Sequence, residues 1–432
     1  GLRDVYKRQV LRKELGFNGL IVSDWNSVGE MITHGFAVDG KDAARLAANA
    51  GLDMEMNTEL YVKYLKQLVE GGKVSVADID TSVRYILNIK FRLGLFDNRY
   101  LTVSDKSTIY SEEHLRAAKE AALKSAVLLK NSNSTLPLKE TQRIAIIGPM
   151  ADAPYDQLGT WVFDGEADHT ITPVRALKNI MEYQDIQYIY EPILQKTTDN
   201  DTVDFKKIKQ TVENADVVVV FVGEESRLSG EAHSLSDINL IGRQSELLKK
   251  VKNIGKPVVA IVMAGRPLTI ERDLPYVDAL LYCFHPGTMG GPAIWDLLFG
   301  WVNPSGKLPV TFVREVGQIP LYYNHNNTGR PAPNYVRTLY DKSDEKQSSV
   351  GDVSCYLDSG RAPLFPFGYG LSYSKFDYSD LTLSKNKIGM QDSLTVSVTL
   401  KNNSNIDGVE VVQLYVRDLV CLLYTSDAAD DK

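Results

Sequence analysis

Two acidic residues occur in sequence contexts that are typical of catalytic groups. Asp24 lies near the end of the run Leu20-Ile-Val-Ser-Asp-Trp, and Glu231 lies in the polar stretch of residues 227–237. Two carboxyl groups can together cleave a glycosidic bond, because one attacks the sugar while the other protonates the leaving oxygen. Such chemistry requires elements that carry both groups to one substrate.

Asp24 follows a short apolar run that comes after a turn at Asn18-Gly19, a pattern typical of a buried parallel strand. In α/β barrels the carboxyl ends of the strands face the active site, so a carboxylate there is a catalytic candidate. Trp25 adds a flat apolar face that suits the C–H face of a pyranose ring. Asp24 could instead cap the following segment, and these residues alone leave the two interpretations evenly balanced.

Glu231 follows the apolar run of residues 217–222, and a loop after a sheet strand can carry a carboxylate into a neighbouring pocket. Spacing alone favours a solvated surface acid, since Glu224 and Glu225 compete for the same role. His233 is a candidate for the mouth of a site near Glu231.

The remaining candidates are mostly structural. Trp161 could contribute to a sugar subsite, although a place in the core is the more common role for a tryptophan. Met54 and Met56 are candidates for contacts with a bound sugar, with core packing as the alternative. Gly287-Thr-Met-Gly-Gly-Pro predicts a tight strand-to-helix turn, because it lacks the Gly-Lys-Ser/Thr ending of a phosphate cradle. The six histidines are dispersed and predict no metal site: His34, His114, His169, His233, His285 and His325.

The composition restricts the class of protein. The chain has 432 residues, of which 44% are hydrophobic and 24% charged, with a net charge of −7. This length predicts two or three domains. Lysine and arginine are scattered, which argues against a nucleic-acid partner, and no apolar run of about 18 residues predicts a membrane span. Cys283, Cys355 and Cys421 are far apart, so neither a disulfide framework nor a cofactor metal is expected.

Alternating apolar runs and amphipathic helices in residues 10–110 predict α/β organisation. An Ala-rich helix is predicted over residues 111–129, with a domain boundary in the polar stretch of residues 130–139. Continuous apolar strands beyond that point predict a mostly parallel sheet covered on both faces. These strands are expected at residues 143–147, 217–222, 257–263 and 279–282, with helices at residues 246–251 and 294–298.

After about Ser372 the pattern changes to alternation of apolar and polar residues, which is typical of an antiparallel β-sandwich. About three strands are predicted, at Leu381-Thr-Leu and at residues 394–400 and 409–416.

Five motifs occur in one order along the chain. They are Gly16-Phe-Asn-Gly-Leu-Ile-Val-Ser-Asp-Trp, Ala50-Gly-Leu-Asp-Met-Glu-Met, Ala126-Val-Leu-Leu-Lys-Asn with Leu136-Pro-Leu, Asn303-Pro-Ser-Gly-Lys-Leu-Pro, and Phe365-Pro-Phe-Gly-Tyr-Gly-Leu-Ser-Tyr. Together they resemble glycoside hydrolase family 3 in its three-domain bacterial β-glucosidase form. The resemblance covers nearly everything from Val10 to about Val420, and five motifs in register are specific where any one of them would be weak.

The resemblance implies an α/β chain made of three parts. Residues 10–110 correspond to the C-terminal part of a (β/α)8 TIM-barrel domain, and residues 142–335 to an α/β sandwich domain. A linker helix and loop (111–141) and a connecting segment (336–371) precede and follow the sandwich domain. Residues 372–420 resemble the start of a fibronectin type III-like β-sandwich.

The resemblance also implies the chemistry: retaining hydrolysis of terminal β-D-glucosyl residues in an oligosaccharide or β-glucoside, without a cofactor. Asp24 matches the family's nucleophile, Trp25 matches the aromatic residue beside it in the sugar subsite, and Glu231 matches the acid/base. Double displacement by this pair requires carboxyl groups about 5–5.5 Å apart. The chain lacks the Arg that family members commonly have just before Asp237 and the Pro they have at Ile241. A β-xylosidase of the same family is one alternative, and an inactive carbohydrate-binding protein is another.

The two ends of the chain predict a gene fragment. Residues 1–9 and 421–432 resemble translated adapter sequence, with two disordered polar tails as the alternative. With only the last barrel strands present, the fragment is expected to be inactive, since its barrel could not close. The family form implies a periplasmic or secreted parent protein, and a homodimer is a further expectation.

Overall fold

The computed structural model describes residues 5–100, 109–181, 186–324, 356, 358–360, 362–389 and 391–416. The chain divides into two compact units, Gly1–Thr108 and Ile109–Lys432. Residues 1–4 of the predicted leader, most of the predicted connecting segment 336–371 and all of the predicted tail 421–432 lie outside the described residues.

The first unit alternates strands and helices, as predicted. A π-helical segment, Val5–Glu14, leads into two strands and four helices. These are β1 (Val22–Trp25), α1 (Ser27–Thr33), α2 (Gly40–Asn49), β2 (Met54–Met56), α3 (Leu60–Glu70) and α4 (Val76–Arg92). The two strands pair in parallel, with Val22 opposite Met54 and Trp25 opposite Met56.

Small side chains build the core of this unit. In α2, Ala43 and Ala44 are fully buried and face two separate apolar clusters. The Ser75 side chain caps the start of α4 by accepting from Ala77 N. The prediction of a buried strand before Asp24 is wrong in part, since Val22 is 48% exposed and, among the described strands, β1 pairs with β2 alone.

The second unit contains a six-stranded sheet of order β3-β8-β7-β6-β4-β5. Its strands are β3 (Val127–Asn131), β4 (Ile144–Ile147), β5 (Tyr188–Tyr190), β6 (Val217–Gly223), β7 (Val258–Met263) and β8 (Ala279–Tyr282). Its helices are α5 (Glu112–Ser125), α6 (Pro154–Leu158), α7 (Pro173–Met181), α8 (Phe205–Val212), α9 (Gln244–Lys252) and α10 (Gly290–Leu298). All neighbouring strands are parallel except β3, which runs antiparallel to β8.

The predicted parallel sheet with two covered faces is confirmed by the burial of β6. Val218, Val220 and Val222 lie in one apolar cluster with side chains of α8 and α9. Val217, Val219 and Phe221 lie in another cluster with side chains of α7 and α10. The period-two alternation of a strand therefore supplies both cores.

The predicted helix over residues 111–129 is wrong at its end, because α5 stops at Ser125 and residues 127–131 form β3. Val127, Leu128 and Leu129 are each no more than 1% exposed and lie along β8. Burial of three consecutive large apolar side chains fits a strand between two layers better than an amphipathic helix. The segment predicted as a linker, residues 111–141, thus supplies an edge strand of the sheet.

Of the three strands predicted after Ser372, two form. β9 (Phe376–Leu383) and β10 (Val396–Asn402) pair as an antiparallel hairpin. The third prediction, residues 409–416, is wrong, since this segment has no strand structure. Side-chain contacts hold it instead: Gln413 Nε2 donates to Gly368 O at 2.9 Å, and Lys307 pairs with Glu410 at 3.2 Å.

One buried acid in the second unit makes stability depend on pH. Asp273 is 1% exposed, and neither of its carboxylate oxygens has a hydrogen-bond partner among the described residues. Burial raises the pKa of Asp273, and neither the nearby Ser245 hydroxyl nor the charge of Arg272, whose Nε is 4.0 Å away, offsets this. Because the folded pKa lies above the unfolded one, ionisation of Asp273 destabilises the fold as pH rises.

We expect Asp273→Asn to raise the free energy of unfolding by about 1–2 kcal/mol at neutral pH. The gain should shrink in acid, where the carboxyl is neutral in both states. Urea unfolding of both proteins at a series of pH values measures this gain in the free energy of unfolding. Asp216→Asn is the control with the opposite sign, because the backbone N–H of Arg143 lowers the pKa of Asp216. An equal gain from Asp273→Asn at all pH values would contradict the account.

Candidate active site

A serine hydroxyl joins the two strands that carry the first group of predicted site residues. Ser23 Oγ accepts from Met56 N at 2.8 Å and donates to the carbonyl oxygen of Asp24 at 2.8 Å. One residue beyond β1, Asn26 N donates to Met56 O at 3.1 Å. These three bonds fix the backbone on both sides of Asp24.

The Asp24 carboxylate is exposed and is held by one of its two oxygens. Oδ1 accepts from Trp25 N at 2.7 Å, whereas Oδ2 has no hydrogen bond or ion pair among the described residues. The Trp25 side chain is 63% exposed, and Met56 is half-buried on the neighbouring strand. The capping alternative is wrong, because Asn26 is the residue at the start of α1 and Asp24 accepts from no N–H of that helix.

A buried carboxylate that sequence reasoning missed holds this strand pair in place. Asp53 directly precedes β2 and is 8% exposed. Its oxygens accept from Arg12 Nη2 at 2.7 Å, from Ile21 N at 2.8 Å and from Ser82 Oγ at 2.7 Å. The Arg12 guanidinium also lies over the Tyr85 ring, 4.5 Å from its centroid. Asp53 thus ties the first helical segment and α4 to the residues entering β1 and β2.

In the second unit, the acid at the end of β6 is buried in an ion pair. Glu224 is 1% exposed, and Arg266 Nε donates to its Oε2 at 3.0 Å. Burial raises the pKa of Glu224 despite the favourable charge of Arg266. Arg266 Nη2 donates to two further acceptors, the carbonyls of Leu228 and His233. Arg266 therefore joins the strand end to both sides of the loop that carries Glu231.

The neighbouring acid, Glu225, is also fully engaged. Thr197 and Thr198 each donate to its Oε1 at 3.1 Å, and Arg227 Nε donates to Oε2 at 2.8 Å. Burial opposes ionisation of Glu225, but the bonds from Arg227 and the two threonines hold its pKa below the usual range. Both competitors of Glu231 are thus buried and engaged in ion pairs.

Glu231 differs from these two acids in its exposure. Its side chain is exposed and makes no hydrogen bond or ion pair with any described residue. His233 is exposed two residues later, and its backbone N donates to Gly230 O at 3.2 Å. The second group of predicted site residues therefore lies together on one short, well-anchored loop.

A cluster of hydroxyl groups anchors the start of this loop. Thr160 Oγ1 lies 2.9 Å from Ser229 Oγ and donates to Ser226 O at 3.1 Å. His285 Nε2 lies 3.4 Å from the same Ser229 hydroxyl. Burial lowers the pKa of His285, so the ring is neutral at neutral pH. Gly230, with φ 110°, is required here because a Cβ would lie 2.1 Å from the Thr160 methyl group.

Two exposed aromatic residues adjoin this anchor. Trp161 directly follows Thr160 and is 61% exposed, and Phe163 is 85% exposed. Their ring centroids lie 6.1 Å apart, edge to face. The prediction of a core role for Trp161 is therefore wrong, whereas the predicted turn at Gly287 is confirmed between β8 and α10.

The predicted site residues form two groups, one in each compact unit. Asp24, Trp25 and Met56 lie in the first unit, and Glu231 and His233 in the second. Among the described residues, no three His, Cys, Asp or Glu side chains come together in a way that could hold a metal ion. In the same part of the chain, no helix is long and apolar enough to cross a membrane.

We expect Arg266→Met to destabilise the second unit by about 3 kcal/mol at neutral pH, because it leaves Glu224 buried and unpaired. The loss should diminish in acid, as Glu224 takes up a proton below its raised folded pKa. Adding Glu224→Gln should recover much of the loss. Chemical unfolding of the single and double variants measures this, and hydrogen exchange over residues 228–233 reports the loosened loop.

The matched control for Arg266→Met is Arg227→Met, which removes the exposed partner of Glu225 and should cost no more than about 1 kcal/mol. Equal losses in the two variants, or a loss in Arg266→Met that acid does not relieve, would contradict the structural role given to Arg266.

Two profiles of one protein family match the chain. The profile of the Glycosyl hydrolase family 3 C-terminal domain matches residues 126–373, more than half of the chain, and that of the family's N terminal domain matches residues 4–89. A periplasmic beta-glucosidase of Salmonella typhimurium is 39% identical over 95% of this chain and 55% of its own length. A beta-xylosidase of Formosa agariphila is 34% identical over 95% of this chain and 56% of its own.

A crystal structure of beta-glucosidase from Listeria innocua in complex with isofagomine superposes with a TM-score of 0.83 at 40% identity, covering 94% of this chain and 54% of that one. The chain thus spans about half the length of the relatives it matches. The matched profiles establish that this chain belongs to glycosyl hydrolase family 3.

Proposed function

We propose that this chain carries the catalytic carboxyl groups of a retaining β-glycosidase that removes terminal β-D-glucosyl residues. The observation that carries the proposal is the state of Asp24. Oδ1 is held by Trp25 N while Oδ2 has no partner among the described residues, and the side chains of Asp24 and Trp25 are both exposed. A nucleophile needs this combination of a fixed direction and an unshared oxygen.

In the proposed mechanism, Asp24 Oδ2 attacks the anomeric carbon and Glu231 gives its proton to the departing glycosidic oxygen. Glu231 then removes a proton from a water that attacks the same carbon and releases Asp24, so the anomeric configuration is retained. Trp25 and Met56 would contact the sugar, and His233 would lie near the mouth of the site. The anchored but solvent-exposed position of Glu231 supports its role, since an acid/base must exchange protons with water in each cycle.

We further propose that the first unit is the C-terminal part of a (β/α)8 barrel and that the β9–β10 hairpin begins a fibronectin type III-like domain. The parallel β1–β2 pair with its helices and the antiparallel hairpin are compatible with this. A periplasmic or secreted location is proposed from the name of the Salmonella typhimurium relative. Homodimer formation stays a prediction.

A β-xylosidase is the second candidate, favoured by the Formosa agariphila relative at 34% identity. The two sugars differ by one hydroxymethyl group. A pocket that excludes or requires that group discriminates by about 10–200-fold, so the comparison of glucosyl and xylosyl reagents is decisive.

The nucleophile can be identified by trapping in an active enzyme that contains these residues. In 2-deoxy-2-fluoro-β-D-glucosyl fluoride, a carboxylate oxygen displaces fluoride at the anomeric carbon and forms a stable ester. We expect the ester on the peptide that contains Asp24, and no labelling in Asp24→Asn. Mass spectrometry of the digest locates it. Faster trapping by the xylosyl reagent would favour the second candidate, and an ester on Asp53 or Glu55 would overturn the assignment.

Glu231→Gln should slow hydrolysis of substrates with poor leaving groups by about 10²–10⁴-fold. With an activated aryl glycoside, whose leaving group departs without a proton, azide should restore turnover and give a β-glycosyl azide, because the anion attacks the glycosyl-enzyme without needing a base. Product analysis by NMR checks the configuration. Glu225→Gln is the control variant. It removes an acid that is already bonded to Thr197, Thr198 and Arg227, and it should give no azide product. Azide rescue of Glu225→Gln but not of Glu231→Gln would transfer the role to Glu225.

A further inference from the structure

A polar pocket lies at the edge of the sheet opposite to the Glu231 loop. Glu231 follows the carboxyl end of β6, whereas this pocket is at the amino ends of β6 and β7, where Val217 and Pro257 line it. Its volume is about 450 Å³. Its polar lining includes Asn133, Ser134, Lys139, Lys252, Lys256 and Asp278.

The pocket has more positive than negative charge. Its single carboxylate, Asp278, is already occupied, because Lys252 Nζ donates to its oxygens at 2.7 and 2.6 Å and Val258 N donates to Oδ2 at 2.8 Å. Lys139 and Lys256 have ammonium groups with no hydrogen bond or ion pair among the described residues. The charge of Lys256 also acts on the Asp216 carboxylate, which Arg143 already binds. The cavity is therefore lined by two cations that no hydrogen bond or ion pair among the described residues occupies.

The wall of the pocket includes two consecutive residues in the left-handed region. Asn133 has φ 56° and Ser134 has φ 52°. This conformation costs roughly 1–2 kcal/mol for a residue other than glycine, although asparagine tolerates it better. Neither side chain has a hydrogen-bond partner among the described residues, so both are available as neutral donors. Strain retained beside unused donors is typical of binding sites.

We propose that this pocket binds the phosphomonoester of a small polyhydroxylated molecule, a sugar phosphate in size and chemistry. A phosphomonoester is close to a dianion at neutral pH, and two free ammonium groups match that charge. The Ser134 hydroxyl and the Asn133 amide supply donors for the remaining oxygens. The volume lies within the range of small-molecule sites, about 300–1,000 Å³, and leaves room for a hydroxylated body beyond the phosphate. The site is independent of the glycosidase function.

Calorimetric titration of the whole chain with glucose 6-phosphate tests the proposal, with glucose and inorganic phosphate as separate titrants. We expect glucose 6-phosphate to bind more tightly than either, and its affinity to fall as salt is added. K139M/K256M should weaken binding by about tenfold or more, since two charge-assisted contacts are lost. S134G should weaken it less while preserving the fold, because glycine favours the left-handed conformation.

The matched control is K206M/K209M, which removes two exposed lysines of α8 that have no partner among the described residues. This variant should retain the affinity of the unmodified chain. Absence of binding, equal affinity for inorganic phosphate, or equal weakening in the two double variants would each overturn the proposal.

Discussion

The second unit depends on a strand that has no polar face. All seven residues of β6 are buried, because helices cover the sheet on both sides and the neighbouring strands satisfy the backbone. Polar chemistry is therefore confined to the strand's ends. At the carboxyl end, Glu224 and Arg266 follow adjacent parallel strands, with Gly223 opposite Met263. Their ion pair is a consequence of the sheet register, and the loop that carries Glu231 is fastened to it.

In the first unit, buried polar side chains rather than a buried apolar strand fix the backbone around the site residue. Its short parallel pair cannot bury much apolar surface, so buried polar groups fix it instead. Asp53, which directly precedes β2, accepts hydrogen bonds from three separate segments, and Ser23 bridges β1 to β2. Because an unpaired buried carboxylate is costly, the partners of Asp53 are constrained as strongly as apolar core residues are. The backbone of Asp24 is therefore fixed, while one of its carboxylate oxygens has no partner among the described residues.

The third, fourth and fifth family motifs contain no candidate catalytic acid, and their residues are explained by packing. Asn303 Oδ1 accepts from Ser372 Oγ at 2.8 Å and from Tyr373 N at 2.9 Å, which joins the fourth motif to the fifth. A Cβ on Gly306 would lie 2.2 Å from Ala126 O, and one on Gly370 would lie 2.1 Å from Gly306 O. Three distant stretches of chain thus meet at close backbone approaches that only glycine permits.

The sequence alone determined the α/β organisation, the central strands β6, β7 and β8 and the exposure of Glu231, because continuous apolar runs and polar loops are local signals. Tertiary structure decided what depends on distant partners. Residues 127–131 form a strand since β8 is available to pair with them, whereas residues 409–416 are held by side-chain contacts instead of a ladder. The supporting roles of Asp53 and Arg266 were invisible for the same reason. The role of a buried charge depends on the residues around it. Arg12 is 41 residues from Asp53 along the chain, and Glu224 is 42 residues from Arg266.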